Sequence, residues 1–323
     1  MALLVVVLVA AISGRADGAE PGEPVDFTEV SRIGDDRITE SSGLAVSRKH
    51  RDLAYTINDS GSSATVFAIR ISTGKVVGTT TVQHPTSTWL DTEAMALRGG
   101  TLWVADTGDN FRQRTDAALY AIDEPGPDNQ TVVPRRYPVT YEGGPQNVEA
   151  IAVPPRPGRI LLLTKQSAGG VVLRLPAELR ENRPNVATPT SRKTPGFTSD
   201  ATYTADGRHV LVRSYTAAEV REARTWDLIR TDVLPDQQLG ESIALEDSER
   251  SYLIGSEGLG SSLLRIAFHT DAATPSPTTT PGPSSGDSSK EGRGFSVGAI
   301  GLLGGLIALV AVILIARRRS RPS

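Results

Sequence analysis

The sequence predicts an all-β fold made of one four-stranded unit repeated five times, on three observations. A short motif recurs as ESSGLA (Glu40 to Ala45), DTEAMA (Asp91 to Ala96), NVEAIA (Asn147 to Ala152), TSDATY (Thr198 to Tyr203) and GESIAL (Gly240 to Leu245). Aligning Ser42, Glu93, Glu149, Asp200 and Glu241 gives steps of roughly 51, 56, 51 and 41 residues, about the period of one propeller blade. Between copies lie short β-branched or aromatic runs punctuated by Gly, Pro and Asp, the pattern of strands and turns. Together these predict a five-bladed β-propeller.

Unit one reads SGLAVS, LAYTIN, TVFAIRI and VVGTTTV, with a tight turn over Ser72, Thr73, Gly74 and Lys75. Unit two follows DTEAMA with TLWVAD, AALYAID and RRYPVTY. Unit three gives EAIAV, RILLLTK, GVVLRL and a weak fourth strand near Thr188 to Lys193. Unit four gives DATYTA, HVLVRSY, EVREARTW and DLIRTDVL. Unit five stops after SIALE, SYLIGS and SLLRIAF, and the isolated run VDFTEVSRI (Val25 to Ile33) supplies its missing strand. Borrowing that strand from the other end closes the ring and removes an exposed sheet edge. Six blades are the alternative, if the stretch from Pro176 to Phe197 conceals further strands. The propeller is expected over residues 25–270.

Both termini read as membrane signals. Ala2 to Ile12 is an apolar run too short to span a bilayer, followed by the small residues Gly14, Ala16 and Ala19, so residues 1–19 are expected to be a signal peptide. It lacks a basic leading region; a true start further upstream, a buried first strand and an uncleaved anchor stay open. Phe295 to Ala316 runs uncharged for about 22 residues, long enough to span, and Arg317, Arg318, Arg319 and Arg321 follow. The expectation is a single-pass protein of the cell membrane, with the propeller outside and residues 317–323 as a basic cytoplasmic tail. Gly301 and Gly305 form a small-xxx-small pair of the kind that brings helices together. Residues 271–294 are rich in Pro, Ser and Thr with little apolar to bury, and read as a disordered stalk or plain linker, a substrate for O-linked sugar.

Composition excludes several classes. A net charge of −3 and sparse aromatics leave no broad basic surface for nucleic acid. The absence of Cys excludes disulfides and thiolate metal sites. The four histidines, His50, His84, His209 and His269, have no spacing that suggests a catalytic triad, and no nucleophile elbow, phosphate loop or dinucleotide fingerprint is present.

The chemistry therefore falls to oxygen. In a propeller the loops leading into the innermost strand share one face with those leaving the second. Glu93, Glu149, Asp200 and Glu241 should then converge around one mouth, with Asp59, Asp106, Asp109, Arg114, Lys165 and Glu257 as further ligand-binding candidates. Clustered carboxylates repel unless a cation, hydrogen bonds or raised pKa values relieve them. The four acids are thus metal-ligand candidates, and an all-oxygen set suits Ca²⁺ or Mg²⁺ rather than Zn²⁺. Two other readings stay open: each acid accepts backbone hydrogen bonds and holds neighbouring blades together, or it touches an organic ligand directly. ADTGDN likewise reads as either a hydrogen-bonded turn or a metal loop.

The motifs TINDSG, WLDTEAMA, LWVADTGDN with Arg114 following, NVEAIAV, LLLTK, DATYTADGRHVLVRSY and GESIAL with IGSEG resemble a family of secreted or membrane-anchored β-propeller proteins of actinobacteria. That family shows NDSG, a DWED-like motif, GDIGDN, DAEA, VTK, an SPDGR-like run and GEAIA in this order. The resemblance covers most of Glu40 to Phe268. At fold level it is similar to phytase-like and lactonase-type propellers. The chain departs from the family pattern at Thr92 (usually Trp), Thr107 (usually Ile) and Ser199 (commonly Gly or Ala).

Three functions follow as expectations. The first is a cell-surface module binding a wall polymer, small ligand or envelope protein at its acidic mouth. The second is a metal-dependent hydrolase of phosphoesterase or lactonase type, with Glu93, Glu149 or Glu241 as ligand or base. The third is a structural envelope scaffold.

Overall fold

A computed structural model describes residues 22–83 and 89–269, which form 22 β-strands and no helix. The chain starts with β1 (Glu23–Pro24) and β2 (Phe27–Arg32), whose partners come from the far end of the sequence. Unit one is β3 (Ser41–Val46), β4 (Leu53–Asn58), β5 (Thr65–Arg70) and β6 (Val76–Val82). Unit two is β7 (Thr92–Arg98), β8 (Thr101–Asp106), β9 (Ala118–Asp123) and β11 (Arg135–Tyr141), with the short β10 (Gln130–Val132) between its last two strands. Unit three is β12 (Val148–Ala152), β13 (Leu161–Thr164), β14 (Val171–Arg174) and β15 (Asn185–Lys193). Unit four is β16 (Thr198–Tyr203), β17 (His209–Ser214), β18 (Ala217–Glu222) and β19 (Leu228–Val233), and β20 (Gly240–Leu245), β21 (Ser251–Ser256) and β22 (Ser262–Ala267) complete the series.

Within each unit successive strands pair antiparallel, and the first strands are neighbours in turn: β3 beside β7, β7 beside β12, β12 beside β16, β16 beside β20, and β20 back beside β3. A separate apolar cluster fills each junction. Tyr55 and Ile57 meet Leu102 and Val104, for example, and Ala244 and Leu253 meet Leu44 and Phe67 across the closing junction. The arrangement is β-propeller-like and all-β. Its inner strands are buried along their length, as β20 and β4 show, so they read as continuous apolar or small-residue runs. The outer β15 alternates buried and exposed positions, which explains why its Ser, Arg and Lys content hid the strand's full length.

Among the described residues the stretch Pro176 to Phe197 holds one strand, β15. The terminal-strand closure is present. β2 pairs antiparallel with β22, and Ser31 donates to the carbonyl of Ile71 at 2.6 Å, fastening the last unit to the first. Three parallel pairings not legible in the sequence join outer edges: β1 to β19, β10 to β6 and β15 to β11. They cover backbone groups that an outer strand would otherwise leave unpaired.

Every first strand carries a bulge at one equivalent position, occupied by Gly43, Glu93, Glu149, Ser199 and Glu241. This corrects the sequence alignment at two units, where Ser42 and Asp200 had been placed in line with the glutamates. A slip of one residue on a pleated strand turns a side chain to the opposite face, and a bulge position is invisible to motif matching. The segments expected as signal peptide, stalk, membrane span and tail lie outside the described residues. Among those described, no helix is long and apolar enough to cross a membrane.

Candidate functional site: an acidic mouth

The bulges aim Glu93, Glu149 and Glu241 at the end of the ring where the loops after β4, β8, β13, β17 and β21 also gather. Asp59, in the loop after β4, Asp91, just before β7, and Glu93 each place a carboxylate oxygen within 4.8 Å of the others'. Glu93 is 6% exposed and its carboxylate accepts no hydrogen bond among the described residues. Burial pushes its pKa well up, and the charges of Glu149, Asp59 and Asp91 push the same way. Burial, then the charges of Asp91 and Glu257, push Asp59 up to about 8.

This trio is held by the loop after β8. Asp106 accepts from the amides of Leu90 at 3.1 Å and Asp91 at 2.9 Å, fixing the backbone that carries the Asp91 carboxylate. Arg114 braces Asp106 with an ion pair at 2.8 Å and donates to the Gly108 carbonyl at 2.8 Å. The Gly108 amide donates to the Asp91 carbonyl at 3.0 Å. Asp109 accepts from the Arg114 amide at 2.7 Å, and its own amide donates to Asn147 at 2.6 Å. Asp106, Asp109 and Arg114 thus form a hydrogen-bonded turn that supports the mouth, bonded to one another and to the neighbouring backbone.

Across the mouth Lys165 lies 2.9 Å from Glu149, which also accepts from Asn147 at 2.7 Å. Burial opposes the charge on Lys165, but Glu149 and Glu241 outweigh it and hold the pKa well above the usual ammonium value. Glu241, 5% exposed and accepting no hydrogen bond among the described residues, is pushed by burial to about 8; Lys165 opposes that rise and Glu257 adds to it. The Lys165 ammonium sits 5.0 Å over the Tyr215 ring, and Tyr215 stacks on Phe197 with centroids 5.7 Å apart.

Asp200 is placed elsewhere. It is fully buried between β16 and β20, accepting from the amides of Ala201 at 2.8 Å and Ile243 at 2.9 Å, and so staples two neighbouring units. Ser42 and Ser199 do similar work, donating to the carbonyls of Glu93 and Gly240. The sequence reading underweighted Asp91, although its position two residues before Glu93 puts both on one face of an extended chain. It placed Tyr215 at the mouth as a residue leaving a second strand, but missed Gly108 and Phe197, because what matters at each is a close contact that strand register brings about.

No protein-family model matches the chain, and no curated protein matches it. Among solved structures, a gluconolactonase from Xanthomonas campestris aligns with a TM-score of 0.44 at 11% identity, over 79% of this chain and 99% of that one. Hydrazine synthase from Kuenenia stuttgartiensis aligns with a TM-score of 0.38 at 13% identity, over 69% of this chain and 57% of that one. Alignments this loose carry neither ligand nor activity across to this chain.

Proposed function

We propose that this chain is a five-bladed β-propeller whose acidic mouth holds a divalent cation and uses it to bind a ligand. Asp59, Asp91 and Glu93 would hold the ion, with Ca²⁺ the best match to three carboxylates and no nitrogen or sulfur donor. One observation carries the reading: Glu93 is a buried carboxylate that accepts no hydrogen bond among the described residues, facing two further carboxylates within 4.8 Å. Carboxylates gathered this closely repel one another, and a bound cation offsets the cost. Calcium titration of the purified full-length protein by calorimetry tests it. Saturable binding that Glu93→Gln removes is expected; calcium-independent behaviour in both proteins overturns it.

The head is proposed to stand outside the cell membrane, on the stalk of residues 271–294 and the span of 295–316, after removal of residues 1–19. Its partner there is a wall polymer, a small ligand or an envelope protein. Hydropathy, composition and the arginine cluster support this organisation.

A second reading, a metal-dependent hydrolase, is favoured by Glu241. A buried carboxylate near pKa 8 beside the cationic Lys165 has the proton affinity of a general base at neutral pH. Turnover of an aryl phosphoester or a lactone that needs calcium and is lost in Glu241→Gln would establish it.

A further inference from the structure

We propose that the Phe197–Tyr215 stack is a shelf for a pyranose ring, with Glu241 and Lys165 as the hydrogen-bonding partners of its hydroxyls. The proposal rests on the mouth being a ligand site and names the chemical class it takes. Phe197 keeps 45% of its surface exposed while its ring stacks on Tyr215 at an interplanar angle of 18°. It holds a left-handed backbone conformation at φ 57°, unusual for a bulky residue. An aromatic ring held in that conformation at the rim of a polar mouth calls for an occupant.

The polar neighbours say which occupant. Glu241 is 5% exposed and offers two acceptor oxygens that no described group uses. Lys165, within electrostatic reach of both Glu241 and Glu93, is a donor, and its ammonium already sits against Tyr215. A sugar ring has an apolar C–H face to lay on Phe197 and hydroxyls round its edge that both donate and accept, matching Glu241 and Lys165 together. Once a cation answers the trio, the neutral hydroxyls of a pyranoside match what remains.

The test is saturation-transfer NMR on the full-length protein with methyl glucopyranoside, methyl mannopyranoside and N-acetylglucosamine, each with and without calcium. Ring C–H protons of at least one sugar should receive saturation. Phe197→Asn, which removes the ring yet tolerates the left-handed backbone, should abolish the signal with calcium affinity unchanged, and Phe197→Tyr should retain it. Transfer to none of the sugars from protein that binds calcium overturns the shelf and leaves the cation reading intact. Absence of calcium binding overturns the cation reading, and the metal-free sugar titration then decides the shelf by itself. Saturation of trilysine in place of the sugars would assign the mouth to a basic peptide and overturn the proposal.

Discussion

Glu93 packs its carboxylate directly against Gly108: a β-carbon built on that glycine would lie 2.1 Å from Glu93 Oε1 and 2.6 Å from Asp91 Oδ2. The approach of two acids to one backbone position is possible because the residue there has no side chain. Gly108→Ala should therefore push both carboxylates aside and weaken calcium binding about tenfold or more. The apolar clusters at the five junctions contain neither residue, so the folded state should persist. Calorimetric titration beside a melting curve checks this; unchanged affinity in the folded variant would show that the carboxylates do not meet an ion there.

Glu93→Gln should do two opposite things. Removing a buried charge that Glu149, Asp59 and Asp91 repel should raise the stability of the chelator-treated protein by roughly 1–3 kcal/mol. The same change should remove the stabilisation that calcium gives the wild type. Melting with chelator and with calcium separates the effects, and a variant destabilised in chelator would count against mutual repulsion at the mouth.

The pH dependence follows from two acids. Asp59 and Glu241 sit at about 8 in the folded protein, against ordinary values of 3.8 and 4.5. Between those limits the folded state binds more protons than the unfolded one, so metal-free stability falls as pH rises and levels off above about 8. Calcium competes with the protons on Asp59, so its affinity should climb through the same window. Melting at pH of about 5 and about 8, with and without calcium, should show the largest calcium shift at the higher pH. A calcium shift that is equal at both values would sink this coupling.

Asp200 distinguishes an acid that staples units from one that meets a ligand. Asp200→Ala should leave the Ile243 amide without its acceptor and cost about 1–3 kcal/mol, with calcium affinity unchanged. Loss of calcium binding in a variant that still melts cooperatively would return Asp200 to the set of cation ligands.

The repeat was legible because the inner strands of every unit meet the same demand. Each must be narrow, apolar and ended by a turn, and SGLAV, TEAMA and SIAL satisfy it in nearly the same letters. The closing strand was legible for a related reason, since β22 lacked a partner and β2 lacked a unit. Glu93, Glu149 and Glu241 could be picked out because acids in an apolar motif stand out. Their difference from Asp200 could not, because the four share a chemistry and differ only in which side of a bulge they occupy.

The sequence by itself determined the all-β class, the count of repeats it predicts and the carriage of acid at the start of inner strands, since these follow from side-chain periodicity and turn chemistry local to each unit. Tertiary structure alone decided that Asp59, Asp91 and Glu93 meet, that Glu149 is answered by Lys165 while Glu241 accepts no hydrogen bond among the described residues, and that Phe197 lies on Tyr215. The first of these contacts joins two units and the other two link the start of one strand to the end of the next, so all depend on strand register, which the bulges set.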